Sequence, residues 1–254
     1  MTTEPLTKKY RRFVVGGFSR VLISRTFSFL YVIIVTRLII KGTMDQMIIL
    51  ASGQLIILQV TSLAMRFSCR QRALSVKGEK SDEFRYNGVL FMLFIATPIS
   101  IILAVIMALY VGGFEYTVLL ISYPLSMALI MLMETEIMVE KSLLAADRAI
   151  LLNMVFSVLN SIMVPLFYFI APTLASVLWA WNFSLVLTVL LDIKVILRIL
   201  QKKRLSSQVI TYLIHFGFPI YLGQLPQLIS THINNFVIFE FLETGATSIF
   251  YWPN

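Results

Sequence analysis

Charge is what this sequence most lacks. Asp, Glu, Lys and Arg make up 13% of its 254 residues, against about a quarter in a soluble domain. Hydrophobic residues fill 58% and mean hydropathy is +0.86, which excludes an ordinary water-soluble globule. Cysteine is nearly missing too. Cys69 stands alone, so there is no intramolecular disulfide framework and the redox compartment cannot be read from it. With only two histidines, far apart in the chain, no metal centre can be assembled. A Walker-type phosphate loop, HExxH, CxxC and GxSxG are all absent. The chain therefore reads as a non-enzyme that needs no cofactor and does not hydrolyse ATP. The opening "MTTEPLTKKYRRF" is polar for thirteen residues and has no short apolar core with a small-residue cleavage site, so it reads as a cytoplasmic lead-in.

What is present is a series of apolar runs about twenty residues long, the signature of membrane-spanning helices. Seven spans are expected: 14–40, 46–67, 88–111, 116–139, 150–171, 174–197 and 212–241, with an eighth beginning near Ala246. This is an all-α integral membrane protein, organised as a cytoplasmic segment 1–13, a six-helix lobe 14–197, a basic linker 198–211, and the start of a second, incomplete lobe at 212–254. The net charge of +8 reports topology before it reports nucleic acid. Lys8, Lys9, Arg11 and Arg12 precede the first span, and Arg70, Arg72, Lys77, Lys80 and Arg85 follow the second. Lys141 and Arg148 follow the fourth; Arg198, Lys202, Lys203 and Arg204 follow the sixth. The alternate loops hold almost no basic residue apart from Lys41. The positive-inside rule then places the N-terminus in the cytoplasm.

Two spans carry polar faces. At about 100° per residue, Gln224, Gln227, Ser230, Thr231, Asn234 and Asn235 fall within an arc of roughly 140°, opposite an apolar face. Unsatisfied polar groups are costly in hydrocarbon. The stripe must therefore line a watery cavity, bent at Pro219 and Pro226, or form a buried helix–helix seam. His232 lies beside it, either as an ordinary packed histidine or as a proton carrier. In the first span Arg20, Ser24, Arg25, Ser28, Tyr31 and Thr36 share an arc of roughly 160°. Arg25 lies too deep to snorkel easily, whereas Arg20 can still reach the interface. A guanidinium at this depth suits phosphate or pyrophosphate. Glu134, Glu136, Asp192 and Lys194 read as interfacial charges. Asn153, Asn160 and Asn182 read as interhelical hydrogen-bonding groups, and Pro98, Pro124 and Pro165 as helix bends.

The stretches "SFLYVIIVTRLIIKGTMDQMIILASGQLIIL" (28–58) and "HFGFPIYLGQLPQLISTHINNFVIFEFLETGATSIFYWPN" (215–254) resemble a known family. They are similar to the span one–two junction and the seventh span of polysaccharide-type, O-antigen-like flippases for lipid-linked oligosaccharides. These belong to the multidrug/oligosaccharidyl-lipid/polysaccharide exporter superfamily. The departure is Lys41-Gly42-Thr43, where many relatives carry an acidic residue before the glycine. The resemblance implies two six-helix lobes around a cavity that opens alternately to the two membrane faces, in the cell membrane, without an ATPase domain. It implies a lipid-linked glycan as partner, its phosphate-bearing head group held by cavity cations, here Arg20 and Arg25. Glycan assembly enzymes are implied as further partners, nucleic acid is not, and the chain is expected to be truncated after its seventh span. Three alternatives stand beside this one: a small-molecule or drug exporter of the same superfamily, an inactive fragment, and a membrane glycosyltransferase. The last would need loop carboxylates that the sequence scarcely offers.

Overall fold

In lipid a backbone must satisfy its own hydrogen bonds, so apolar runs of this length can only become helices. The computed structural model describes residues 6–63, 65–75, 79–112, 116–139, 146–191, 193–194, 197 and 206–241, with side chains from residue 16 onward except at 66, 70, 73–74, 79–80, 116, 136–139, 146–149, 229 and 231. Every secondary-structure element among them is helical. In order they are α1 (Leu6–Leu38), α2 (Lys41–Ser62), α3 (Met65–Ser75), α4 (Glu79–Phe91), a π-helical turn (Met92–Ala96) and α5 (Thr97–Val111). Then come α6 (Tyr116–Val139), α7 (Ala146–Ile170), α8 (Leu174–Leu190), α9 (Ser207–Leu228), a second π turn (Ile229–Ile233) and α10 (Asn234–Phe241).

Five helical segments are long and apolar enough to cross a membrane: Gly16–Leu38, Lys41–Ser62, Ser81–Val111, Thr117–Thr135 and Ile150–Ile170. The chain is an all-α, multi-pass membrane protein. The sixth expected span is the shorter apolar helix Leu174–Leu190. The seventh is the α9–π–α10 unit, whose amides and prolines keep it out of the group of five. The basic residues of 198–204, Asp192, the side chains of Glu136 and Arg148, and the eighth span near Ala246 lie outside the described residues.

Packing runs outward from α6, which touches α8, α5, α4 and α2; α7 lies on α8, and α1 on α7. Burial follows that order: 56% of the apolar window of α6 is buried but only 6% of that of α1, so α1 is the peripheral helix. Without a hydrophobic drive between helices in lipid, small residues and short polar side chains hold the seams. In the α6–α8 seam the Ser126 hydroxyl donates to Asn182 Oδ1 at 2.5 Å, and Asn182 Nδ2 donates to the Ser122 carbonyl at 3.0 Å. Between α2 and α5 the Ser100 hydroxyl donates to Thr61 Oγ1 at 2.8 Å. Tyr123 of α6 donates to the Leu50 carbonyl of α2 at 2.8 Å. Gly53 makes that approach possible, since a Cβ there would stand 2.8 Å from the Tyr123 hydroxyl. Ser24 and Ser157 join α1 to α7 at 3.0 Å, and Ser161 donates to the Phe27 carbonyl at 2.9 Å. The outer surface is correspondingly apolar, with Ile102, Ile106, Phe169 and Ile170 all exposed.

The prolines behave less uniformly than the sequence reading expects. Pro98 lacks an N–H, and its ring presses on the carbonyl one turn back. The π turn at Met92–Ala96 accommodates it there, and the Thr97 hydroxyl donates to the Met92 carbonyl at 2.7 Å. Pro124, Pro165, Pro219 and Pro226 sit inside α6, α7 and α9 without ending them. In the opening helix of the second expected lobe the irregularity follows Pro226, at Ile229–Ile233.

Candidate functional site

The polar stripe of α9 and α10 divides in two. Its inward half forms a seam with α2, which runs antiparallel to it. Gln59 Nε2 of α2 donates to Gln224 Oε1, and Asn235 Nδ2 donates to Ser52 Oγ at 2.8 Å, with Asn235 buried. Positions 52 and 59 are seven apart, two helical turns, so both face the same neighbour. His232 lies between these two rungs on the π turn. Its Nδ1 is buried without a hydrogen-bond partner. The outward half of the stripe is open: Gln227, Ser230 and Asn234 are exposed. There Ser230 donates to the Gln227 carbonyl at 3.1 Å and Asn234 Nδ2 to the Ser230 carbonyl at 2.9 Å, both within the same helical unit. The side chain of Thr231 lies outside the described residues. The expected seam is thus present on one face of the helix, and the adjacent face is exposed.

The first-span face divides as well. Ser24 belongs to the α7 seam already described, and Tyr31 is half-buried, its hydroxyl donating to the Met47 sulfur of α2 at 3.9 Å. Ser28 and Arg20 are half-buried. Arg25 is exposed, with no hydrogen-bond or ion-pair partner among the described residues. The arginine face and the amide stripe ride on different supports: α1 packs chiefly on α7, whereas α9 and α10 pack on α2, α3 and α4. Helix α2 adjoins both, through Met47 on one side and Ser52 with Gln59 on the other.

A clamp at one end of α9 escapes a reading based on spans alone. The Arg72 guanidinium of α3 lies 5.0 Å from the Tyr212 ring centre and 4.1 Å from that of Phe216, a paired cation–π contact. Phe84 of α4 stacks obliquely on Tyr212 at 5.7 Å. Asn87 Oδ1 accepts from the Ser206 N–H at 2.6 Å while its Nδ2 donates to the Glu83 carbonyl at 2.9 Å. Gly217 closes the contact: a Cβ there would stand 2.3 Å from Ser68 Oγ and 2.9 Å from the Leu63 carbonyl. Leu63 itself has φ 44°. At the opposite end Tyr110 donates to Glu240 Oε2 at 2.9 Å and its ring faces Phe236 at 6.3 Å. So α9–α10 is fastened to the preceding helices at both ends.

Sequence reasoning placed Arg85 among the loop cations, yet it is buried, as are Asp45 and Glu134, and each is engaged. Asn87, immediately before the apolar run at Gly88, was the available signal that this segment is packed. Cys69 is fully buried on α3, its thiol donating to the Phe84 carbonyl at 3.7 Å. Burial pushes the thiol up to about 12, against the opposing pull of the Arg85 charge. No group of three or more His, Cys, Asp or Glu side chains among the described residues is arranged to hold a metal ion. The chain matches no family model, no curated protein and no solved structure.

Proposed function

We propose that this chain carries a lipid-linked oligosaccharide or polysaccharide precursor across the plasma membrane by alternating access, with its N-terminus cytoplasmic. The observation that carries the reading is Arg25, a guanidinium in the body of an apolar helix, exposed and without a partner among the described residues. A charge at that depth needs water or an anion beside it. Its planar fork fits the oxygens of a phosphate or pyrophosphate better than a point charge does. The exposed amides Gln227 and Asn234 supply donors and acceptors of the kind sugar hydroxyls use. The likeness of residues 28–58 and 215–254 to polysaccharide-type flippases supports the same substrate class.

The test is translocation of a lipid-linked glycan by Arg25→Gln and Arg25→Lys variants that insert at wild-type levels. Loss of one charge-assisted hydrogen-bonding group corresponds to about tenfold or more in rate. Arg25→Lys should recover part of it. Wild-type translocation by Arg25→Gln removes the reading, and dye efflux driven by a cation gradient would then select a small-molecule exporter.

A further inference from the structure

Four helix ends converge on a pocket that the amide stripe and the arginine face do not use. It has a volume of about 200 Å³ and is lined by Thr43 and Gln46 of α2, Gly112 beyond α5, Leu119 of α6, and Pro172, Thr173 and Leu174 leading into α8. Under the positive-inside assignment this is the outer end of the six-helix lobe. Two of its polar side chains are uncommitted: Thr43 and Gln46 make no hydrogen bond to any described residue. Thr173 is fixed, because its hydroxyl accepts the Ser176 N–H at 3.3 Å and so caps α8. Leu119 and Leu174 are buried and form an apolar wall, with Pro172 beside them.

Size and lining together restrict what such a pocket takes. At roughly 30 Å³ per water it holds about six or seven of them, too little for a drug-sized ligand, which needs about 300 Å³ or more, but room for one sugar ring. No lining side chain among the described residues is charged, so none of them favours a phosphate or a cation. A hydroxyl and a primary amide can each both donate and accept, which matches vicinal sugar hydroxyls. Leucine and proline offer flat apolar surface to the C–H face of a pyranose. We infer that this pocket binds a neutral monosaccharide unit on the outer face of the protein. The inference rests on the transport reading for its biological setting, a glycan unit held at the exit side, and adds a site that reading does not contain.

The experiment is saturation-transfer NMR on the full chain in lipid nanodiscs, with methyl glucoside and N-acetylglucosamine as probes and excess inorganic phosphate, which has no observable proton, as an anionic competitor. Saturation transfer from protein to sugar that phosphate does not diminish is expected. Gln46→Leu and Thr43→Val should each weaken sugar binding by about tenfold, the cost of one hydrogen bond left unmade at the site. Ile102→Ala, on the exposed apolar surface of α5, should leave binding unchanged and shows that a folded variant keeps it. Absence of sugar binding in the wild type, binding untouched by both pocket substitutions, or displacement of the sugar by phosphate overturns the inference. The two readings fail separately. Sugar binding through Gln46 in a protein that moves no lipid-linked glycan keeps the pocket and removes the transport reading. Arg25-dependent translocation in a protein that binds no sugar does the reverse.

Discussion

Asn182 illustrates how one side chain serves a membrane fold. Both ends of its amide are used across the α6–α8 seam, with Ser126 and with the Ser122 carbonyl. Asn182→Leu keeps the branching and the number of side-chain heavy atoms and removes both bonds, but the Ser126 hydroxyl retains the Ser122 carbonyl at 2.9 Å. The remaining partners are therefore only partly orphaned, and the loss should be about 1 kcal/mol, within the range for interhelical hydrogen bonds in membranes. Reversible unfolding in mixed detergent micelles checks it, and a loss of several kcal/mol would mean that the asparagine does more than join two helices. The sequence showed that Asn182 must hydrogen-bond across helices, since nothing else satisfies an amide in a span. It could not show with whom, because partner choice depends on which helices adjoin, and helices whose exteriors are uniformly apolar carry little record of their neighbours. Arg85 was misplaced for a related reason. A basic residue beside an apolar run reads as an anchor in water unless the packing of α3 against α4 and α6 is known.

At the scale of elements, the periodic runs were readable and the interruptions were not. Length and hydropathy located the apolar windows of α1, α6 and α7 within a few residues and that of α2 five residues too late at both ends, because apolar composition alone decides which segments enter lipid. The π turns at Met92–Ala96 and Ile229–Ile233 leave no mark in a hydropathy profile. Pro98 announced a disturbance without specifying its form, and Pro226 announced one that comes a turn later. The amide stripe was legible as a stripe. Its division into a seam with α2 and an open face depends on the angle at which α9 docks, which the clamp at Arg72, Asn87 and Gly217 sets. Gly217→Val tests that clamp. Its Cβ would meet both Ser68 Oγ and the Leu63 carbonyl, and the second is backbone that cannot turn aside. The inner end of α9 should lift from α3, separating Gln59 from Gln224. A Ser52→Cys/Asn235→Cys pair, built where the native groups meet at 2.8 Å, should cross-link readily in the parent and several-fold more slowly with Gly217→Val. Adding Ser68→Ala removes only one of the two clashes, so it should restore cross-linking in part. Equal cross-linking in all three would show that α9 tolerates a side chain at 217 and that the clamp does not set its angle.

For the whole molecule the governing asymmetry is electrostatic. Basic residues cluster at alternate loops, whereas the α6–α8, α2–α5 and α2–α10 seams are joined by uncharged polar groups. The two ends of the bundle therefore differ in character: an α3–α4 hairpin bearing Arg72 and Arg85 at one, and at the other the pocket of Thr43, Gln46 and Thr173, whose described lining residues are uncharged. The positive-inside rule assigns the first end to the cytoplasm, and Cys69 makes the assignment straightforward to test. That thiol is fully buried and pushed up to about 12, so it stays protonated at any pH used for labelling, and only the thiolate reacts. The sign is clear: raising the pH from 7 to 9 should increase labelling of an exposed cysteine and leave Cys69 silent until the protein unfolds. The native chain thus provides a blank background for introduced cysteines. Ser75→Cys and Pro172→Cys are both exposed, at opposite ends of the bundle. A membrane-impermeant maleimide added to intact cells should label Pro172→Cys at once and Ser75→Cys only after permeabilisation. The reverse pattern would invert the molecule, place Thr43 and Gln46 in the cytoplasm, and turn the proposed exit-side pocket into an entry site.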